Sequence, residues 1–251
     1  MSIRKRIIVT GAARGIGRAI ASLLLKSGCQ VLFIDRDEER LAACVAGFER
    51  AYPGQVSSHG MDLADADAIL GDFINHPWCR EGLDGLVNNA AVAVHKPLAE
   101  FSLEEIEQTW RVNMRAPLLM TKVCLPALTR NKGAIVNLSS CAVRRPAPAY
   151  ALYAPSKAFL DCYTRHAASE LGPCGVRINN VSPGGIQTEL MDETIVALEL
   201  SPESLKAATD LIPIEQRWGR PEEVAECVAF ALFGPRYLHG ETICMDGAIY
   251  K

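Results

Sequence analysis

The sequence predicts an α/β protein built on a single doubly wound parallel sheet with helices on both faces. Two observations carry that expectation. Short β-branched runs alternate along the chain with longer amphipathic stretches, the order of repeated βαβ units. The short runs are apolar throughout rather than at every second residue, as in strands covered on both sides. Right-handed crossovers then wind such a sheet in both directions from its middle.

The elements follow in order. Arg6 to Thr10 (RIIVT) reads as the first strand. Arg14 to Ser27 reads as a helix closed by Gly28, the residue type favoured just past a helix end. Gln30 to Ile34 is a second strand, Asp37 to Arg50 a second helix, and Val56 to Met61 a weaker strand. Leu83 to Val87, Gly133 to Leu138 and Val176 to Val181 read as further buried strands. Leu103 to Leu128 is helical with an interruption at Pro117, and Tyr150 to Leu171 is a long helix. Pro221 to Phe233 is another helix, and Glu241 to Met245 the last strand. The stretch 184–219 reads as irregular, with Pro202 and Pro213 inside it, and is placed to cover a pocket. The whole chain, 1–251, is expected to be one catalytic domain with that stretch as a lid.

Composition excludes several classes. A chain of 251 residues that is 49% hydrophobic and 22% charged suits a globular protein with a large core. A net charge of -3 gives no basic excess for nucleic acid. Arg4, Lys5 and Arg6 are too short a run for a binding tail and solvate the entry to the first strand. Nine scattered cysteines, odd in number and without a C-x-x-C pair, fit neither a disulfide framework nor a metal site. They read as small core residues in a reducing cytosol. No secretory pattern and no apolar run of about 18 residues occurs, so a soluble, cytoplasmic protein without a membrane partner is expected.

Thr10 to Gly17 (TGAARGIG) joins the first strand to the first helix, with glycines at 11, 15 and 17. The G-x-x-x-G-x-G spacing differs from the commoner G-x-G-x-x-G but meets the same demands. The chain must turn sharply, let backbone approach a pyrophosphate and pack the helix on the sheet. Helix N-terminal amides then bind phosphate. A purely structural turn is the other reading of three glycines. The strand-loop-helix context favours dinucleotide binding around Gly11, Arg14, Gly15, Ile16 and Gly17. Asp35 ends the second strand, 18 residues after Gly17, close to the ~20 expected of a ribose-binding carboxylate. A carboxylate there accepts from the adenosine hydroxyls and repels a 2′-phosphate, so NAD is expected before NADP. Arg14 and Arg36 point the other way, because a guanidinium pairs with phosphate.

Tyr153-Ala-Pro-Ser-Lys157 places a phenol and an ammonium on one helix face. Pro155 confines the pair to the first helical turn. An ordinary phenol pKa near ~10 is too high for acid-base work at neutrality, and a neighbouring ammonium lowers it. The oxidised nicotinamide would add a second positive charge. Tyr150 and Tyr163 lack this arrangement, with Ala154 and Ala167 four residues on.

Taken together these motifs resemble the short-chain dehydrogenase/reductase family over nearly the whole chain. The matching elements are the Thr10 to Gly17 loop, Asp62-Leu63, Asn88-Asn89-Ala90-Ala91, Asn113, Ser139-Ser140, Tyr153-x-x-x-Lys157, and Pro183-Gly184 with Thr188. Pro221 to Ala225 and Asp246-Gly247 fit the family's ending. The resemblance implies a Rossmann-like fold and an NAD(P)-dependent oxidoreductase acting on an alcohol/carbonyl pair. It implies Tyr153 as general acid or base, Lys157 as the group that lowers its pKa and binds the nicotinamide ribose, and Ser140 on the substrate oxygen. Ser140 rather than Ser139 stands at the family's separation of 13 from the tyrosine. Asn113 would hold a water beside Lys157. Asp62 and Leu63 would flank the adenine, and Asn89 and Ala90 would line the groove. Ile186 and Thr188 would hold the carboxamide, and Pro183 and Gly184 would also contact the dinucleotide. A homo-oligomer, a tetramer, is also implied. Ala91 stands where the family often has glycine, and Ala248 where it has a second glycine.

Residues between Ser140 and Tyr153 should face the substrate. Arg144 and Arg145 suit a carboxylate or phosphate clamp, or else an exposed loop or subunit contact. His95 is a pocket residue or exposed loop, and Cys141 a thiol near the substrate or a packing residue. Met191, Ile195, Leu198 and Leu200 would give the lid an apolar underside. Besides an NAD-dependent dehydrogenase of a secondary alcohol, the sequence allows an NADPH-dependent ketoreductase of acyl thioesters. It also allows a dinucleotide sensor without catalysis, against which the complete set of Ser140, Tyr153 and Lys157 speaks.

Overall fold

Residues 4–249 are described by a computed structural model of the chain, and seven parallel strands form its centre. β1 (Arg6–Thr10) leads to α1 (Gly15–Lys26), β2 (Gln30–Asp35), α2 (Glu38–Ala51) and β3 (Val56–Gly60). Short helical turns and α3 (Pro77–Glu81) precede β4 (Gly85–Asn88). α4 (Leu103–Thr109) and α5 (Ala116–Asn131) precede β5 (Ala134–Leu138), and α6 (Tyr153–Leu171) precedes β6 (Arg177–Pro183). α7 (Glu189–Ala197), α8 (Pro202–Asp210) and α9 (Pro221–Phe233) come before β7 (Thr242–Met245). The strand order is β3-β2-β1-β4-β5-β6-β7.

That order is the doubly wound sheet expected from the sequence. The apolar runs explain it. In β1, Ile7 and Val9 face one way and pack with Ile20 and Leu24 of α1, Leu41 of α2 and Val228 of α9. Ile8 faces the other way and packs with Leu32, Leu86, Met120 of α5 and Leu171 of α6. Ile7, Ile8 and Val9 are all fully buried. Covering each such side chain contributes about 1.5–3 kcal/mol. β1 has β2 on one side and β4 on the other, so the two halves of the sheet diverge there. The carboxyl ends of strands at that divergence open a crevice, which is where ligands bind in such sheets.

Three local expectations change. The helical stretch 103–128 breaks earlier than Pro117, at a π-helical turn over Trp110–Arg115. Pro117 lies in the first turn of α5, where its missing N–H has no helical partner to lose. The long helix begins at Tyr153 rather than Tyr150. The stretch 184–219 is not irregular, because it holds α7 and α8. Each is started by a side-chain cap: Thr188 Oγ1 accepts from Met191 N at 3.3 Å, and Ser201 Oγ accepts from Ser204 N at 3.2 Å. Pro202 follows its cap at the first helical position, where it favours the helix it was taken to break. Among the described residues no helix is long and apolar enough to cross a membrane.

Close packing sets a test for the glycine loop. A Cβ on Gly17 would lie 2.0 Å from the Gly11 carbonyl oxygen and 2.6 Å from Asn89 Nδ2. A Cβ on Gly28 would meet nothing within 4 Å, although its φ is +82°. We expect Gly28→Ala to cost about 1–2 kcal/mol, the left-handed penalty alone. Gly17→Ala should cost at least about 3 kcal/mol or prevent folding, because backbone must move. Urea denaturation of the two variants checks the order, and equal losses would contradict the packing argument.

Candidate active site

The crevice is made by hydrogen bonds between the ends of β1 and β4. Thr10 Oγ1 donates to Val87 O at 3.2 Å and accepts from Asn89 N and Ala90 N at 3.0 and 3.1 Å. Asn89 Nδ2 donates to Thr10 O and Gly11 O at 2.8 and 3.1 Å. These contacts hold the chain after β4 against the glycine loop. Gly11 has φ +63°, and a Cβ there would stand 2.9 Å from Ala90 Cα. Backbone therefore fills a place that any other residue would block. α1 starts without a side-chain cap, so its first amides are left for another acceptor.

A cavity of about 810 Å³ opens over this point. Its wall carries Gly11, Arg14, Gly15, Ile16, Asp35, Arg36, Asp62, Leu63, Asn89 and Ala90 at one end. Ser140, Tyr153, Lys157, Pro183, Gly184, Ile186 and Thr188 stand at the other. Asp35 Oδ2 accepts from Ala13 N at 3.0 Å and Oδ1 from Asp37 N at 3.2 Å, which orients the carboxylate at the end of β2. The glycine cradle, the uncapped helix start and this carboxylate fit a dinucleotide.

Two expected residues are not on the wall. Gly17 packs helix against loop instead. Asn113 is 1% exposed, and its side chain is engaged: Oδ1 accepts from Val92 N, and Nδ2 donates to Val92 O and Ser156 Oγ. It pins the segment after β4 to α6. Arg14 is on the wall, but its guanidinium donates to Glu193 of α7 at 2.5 Å, so its charge is already paired.

Tyr153 and Lys157 lie one turn apart at the start of α6, with Lys157 Nζ 5.9 Å from the Tyr153 ring centre. The phenol is hydrogen-bonded with Ser140, whose Oγ also accepts from Ala142 N at 3.2 Å. Lys157 Nζ donates to the Leu138 carbonyl at 2.8 Å. In the chain alone the electrostatics run against an acidic phenol. Burial pushes Tyr153 up to about 12, against the lowering contact with Ser140. Burial also pulls Lys157 down to about 8, opposed by the charge of Asp161. Loss of water around the charged form is the largest cause in both cases. Under α6 a row of buried polar side chains runs Asn88, Asn137, Thr164, Asn180 at 2.8, 2.9 and 2.7 Å. Asn180 Nδ2 reaches Asp161 Oδ1 at 2.9 Å, so the row ends on the acid that faces Lys157.

On the substrate side Arg145 lines the cavity, whereas exposed Arg144 does not. Cys141 is fully buried and its thiol donates to Ser182 O at 2.9 Å, so it packs. Burial holds that thiol up at about 12. His95 and Tyr150 are on the wall. From 184–219, Met191 and Leu200 reach the cavity, as expected, but Ile195 and Leu198 do not. Arg40, Met61 and Trp218 also line it and were not foreseen. Arg40 follows from the turn of α2 after Asp35. Trp218 follows from Gly185, on which a Cβ would meet its ring at 2.3 Å.

A family model described as enoyl-(acyl carrier protein) reductase matches residues 11–248. L-xylulose reductase from Caenorhabditis elegans is 32% identical, over 97% of this chain and 94% of that one. 3-Oxoacyl-(acyl-carrier-protein) reductase FabG from Aquifex aeolicus is 34% identical, over 97% and 96%. A short-chain dehydrogenase from Burkholderia cenocepacia, solved in complex with NADP, superposes with a TM-score of 0.87 at 33% identity, covering 98% of each chain. With NADP bound in that neighbour, the comparisons give NADP no lower standing than NAD, and the ranking read from Asp35 is not supported by them.

The electrostatics of the pair set an expected titration. In the protein alone Tyr153 should ionise above the ordinary value of 10.0. The tyrosinate absorbance of the wild type minus that of Tyr153→Phe isolates this group. A transition below the ordinary value would contradict the dominance of burial.

Proposed function

This chain belongs to the short-chain dehydrogenase/reductase family, and from that premise we propose that it moves a hydride between a nicotinamide dinucleotide and the secondary alcohol or ketone of a small or medium-sized molecule. The observation that carries the reading is a single wall: Tyr153 bonded to Ser140, Lys157 one turn on, and the glycine loop on the same cavity. The dinucleotide, when bound, supplies the hydride donor or acceptor.

The chain's own residues handle the proton. In reduction Tyr153 gives its phenolic proton to the substrate oxygen while Ser140 donates a hydrogen bond to that oxygen. In oxidation the phenolate takes the alcohol proton. Positive charge beside the phenol is needed for that direction, and Lys157 supplies it. Asn113 acts as a positioning residue that holds Val92 and α6 together. Gly11, Gly15, Ile16, Asn89 and Ala90 cradle the dinucleotide, Asp62 and Leu63 flank its adenine, and Ile186 and Thr188 meet its carboxamide end. α7 and α8 form a lid over one catalytic domain, tied to the glycine loop by Arg14 and Glu193. The nine thiols, none of them paired, suit a reducing cytoplasm.

For the choice of dinucleotide, Asp35 favours NAD by charge. A second reading, NADP, is favoured by Arg36 and Arg40 on the same part of the wall. The ratio of kcat/KM for the two decides between them. Under the NAD reading, Asp35→Ser should move that ratio toward NADP by about tenfold or more. No movement would remove Asp35 from the site.

Tyr153→Phe should lower kcat by about 10²–10⁴ while dinucleotide affinity stays within about threefold. Steady-state kinetics and fluorescence titration measure the two, and a near-normal rate would mean that the proton travels elsewhere. The tetramer implied by the resemblance is also part of this proposal. Exposed apolar side chains such as Trp110 and Phe230 are available to bury in it. Light scattering should give a mass near four chains, and a monomer would overturn it.

A further inference from the structure

His95 stands beside the reaction centre, and none of the roles above uses it. It lines the same cavity as Tyr153 and is 7% exposed. Its ring centre lies 4.4 Å from that of Tyr150 and 5.4 Å from that of Tyr153. The ring makes a hydrogen bond with the backbone of Ala149. Nδ1 has no hydrogen-bond partner among the described residues. Burial favours the uncharged ring. A neutral imidazole that donates from one nitrogen carries a lone pair on the other. Such a buried acceptor is costly to leave unmatched.

We propose that His95 determines specificity, and that the substrate carries a hydroxyl on the carbon next to the reacting one: a 1,2-diol in one direction and an α-hydroxy ketone in the other. His95 Nδ1 accepts a hydrogen bond from this second hydroxyl, while Tyr153 and Ser140 hold the reacting oxygen. This rests on the roles given to those two residues above. The spacing suits it. Oxygens on adjacent carbons lie within hydrogen-bond reach of each other, and two side chains whose rings are packed together can each serve one. A carboxylate in the same place is disfavoured, because an uncharged acceptor nitrogen has no proton to offer it. A ligand hydroxyl that meets a buried acceptor is discriminated strongly from an analogue lacking it.

The rival explanation is that His95 only braces Ala149, a non-glycine residue with φ +65° just before Tyr150. A brace would affect all substrates alike. The experiment therefore compares cis-1,2-cyclohexanediol with cyclohexanol, in the wild type and in His95→Phe, which keeps the aromatic packing. The wild type should favour the diol in kcat/KM by about tenfold or more, the factor one well-placed hydrogen bond supplies. His95→Phe should bring that ratio to about one, with cyclohexanol within about threefold of the wild type. Equal losses on both substrates, or a wild type indifferent to the second hydroxyl, would overturn the proposal and leave hydride transfer standing. Histidine ¹⁵N resonances, recorded with reduced dinucleotide and each alcohol, give a readout without turnover. A diol-specific shift of Nδ1 without turnover of either alcohol would support the His95 contact and sink the hydride-transfer reading. Turnover absent and Nδ1 unmoved would overturn both.

Discussion

Burying a phenol and an ammonium on one cavity wall is the constraint around which this site is arranged. Neither group gains from leaving water in its charged form. The fold compensates with fixed polar partners. The Leu138 carbonyl that accepts from Lys157 is available because β5 ends there, at the carboxyl edge of the sheet. Ser140, two residues further on, meets the phenol. Both partners come from one strand end, and Tyr153 and Lys157 from the first turn of one helix. Packing α6 beside β5 therefore fixes the geometry of all four groups at once.

The other end of the cavity is held by a different device. Thr10 and Asn89 join the ends of β1 and β4 through five hydrogen bonds, so the divergence of the sheet is locked where the glycine loop turns. Gly17 then brings α1 so close to Gly11 that no side chain fits between them. Strand ends, loop and helix start act as one rigid part, which suits a cradle that must present backbone amides without rearrangement.

Much of this was legible in the sequence because the signals are local. The β-branched runs, the loop from Thr10 to Gly17 and the four-residue spacing of Tyr153 and Lys157 each report on neighbours along the chain. What stayed hidden depends on contacts between distant segments. The value of Tyr153 near 12 comes from tertiary burial, which a spacing rule cannot weigh against a neighbouring charge. Asn113 was read as holding a water beside Lys157, and the reading could not foresee that its side chain is engaged by Val92 and Ser156, 21 and 43 residues away. Arg14 was read as facing phosphate, yet its partner is Glu193, 179 residues on. α7 and α8 were hidden for a simpler reason: Pro202 counts as a breaker until Ser201 is seen to cap the helix it begins.

The same desolvation fixes the sign of the response to pH. Lys157 titrates lower in the fold than in an open chain, so its penalty to folding is full below about 8. It is relieved as pH rises from there toward the ordinary 10.5. Tyr153 titrates higher, so its penalty begins only above the ordinary 10.0. A positive charge brought next to the pair lowers both values together. It favours the phenolate, and it also discourages the ammonium that helps the phenolate form. An anionic group on the far side of Lys157 resolves this conflict, because it supports the ammonium without standing beside the phenol. Asp161, one turn beyond Lys157, raises the Lys157 value and is held by Asn180 at the end of a buried polar row. The buried polar row under α6 therefore holds in place the carboxylate whose charge raises the Lys157 value against burial.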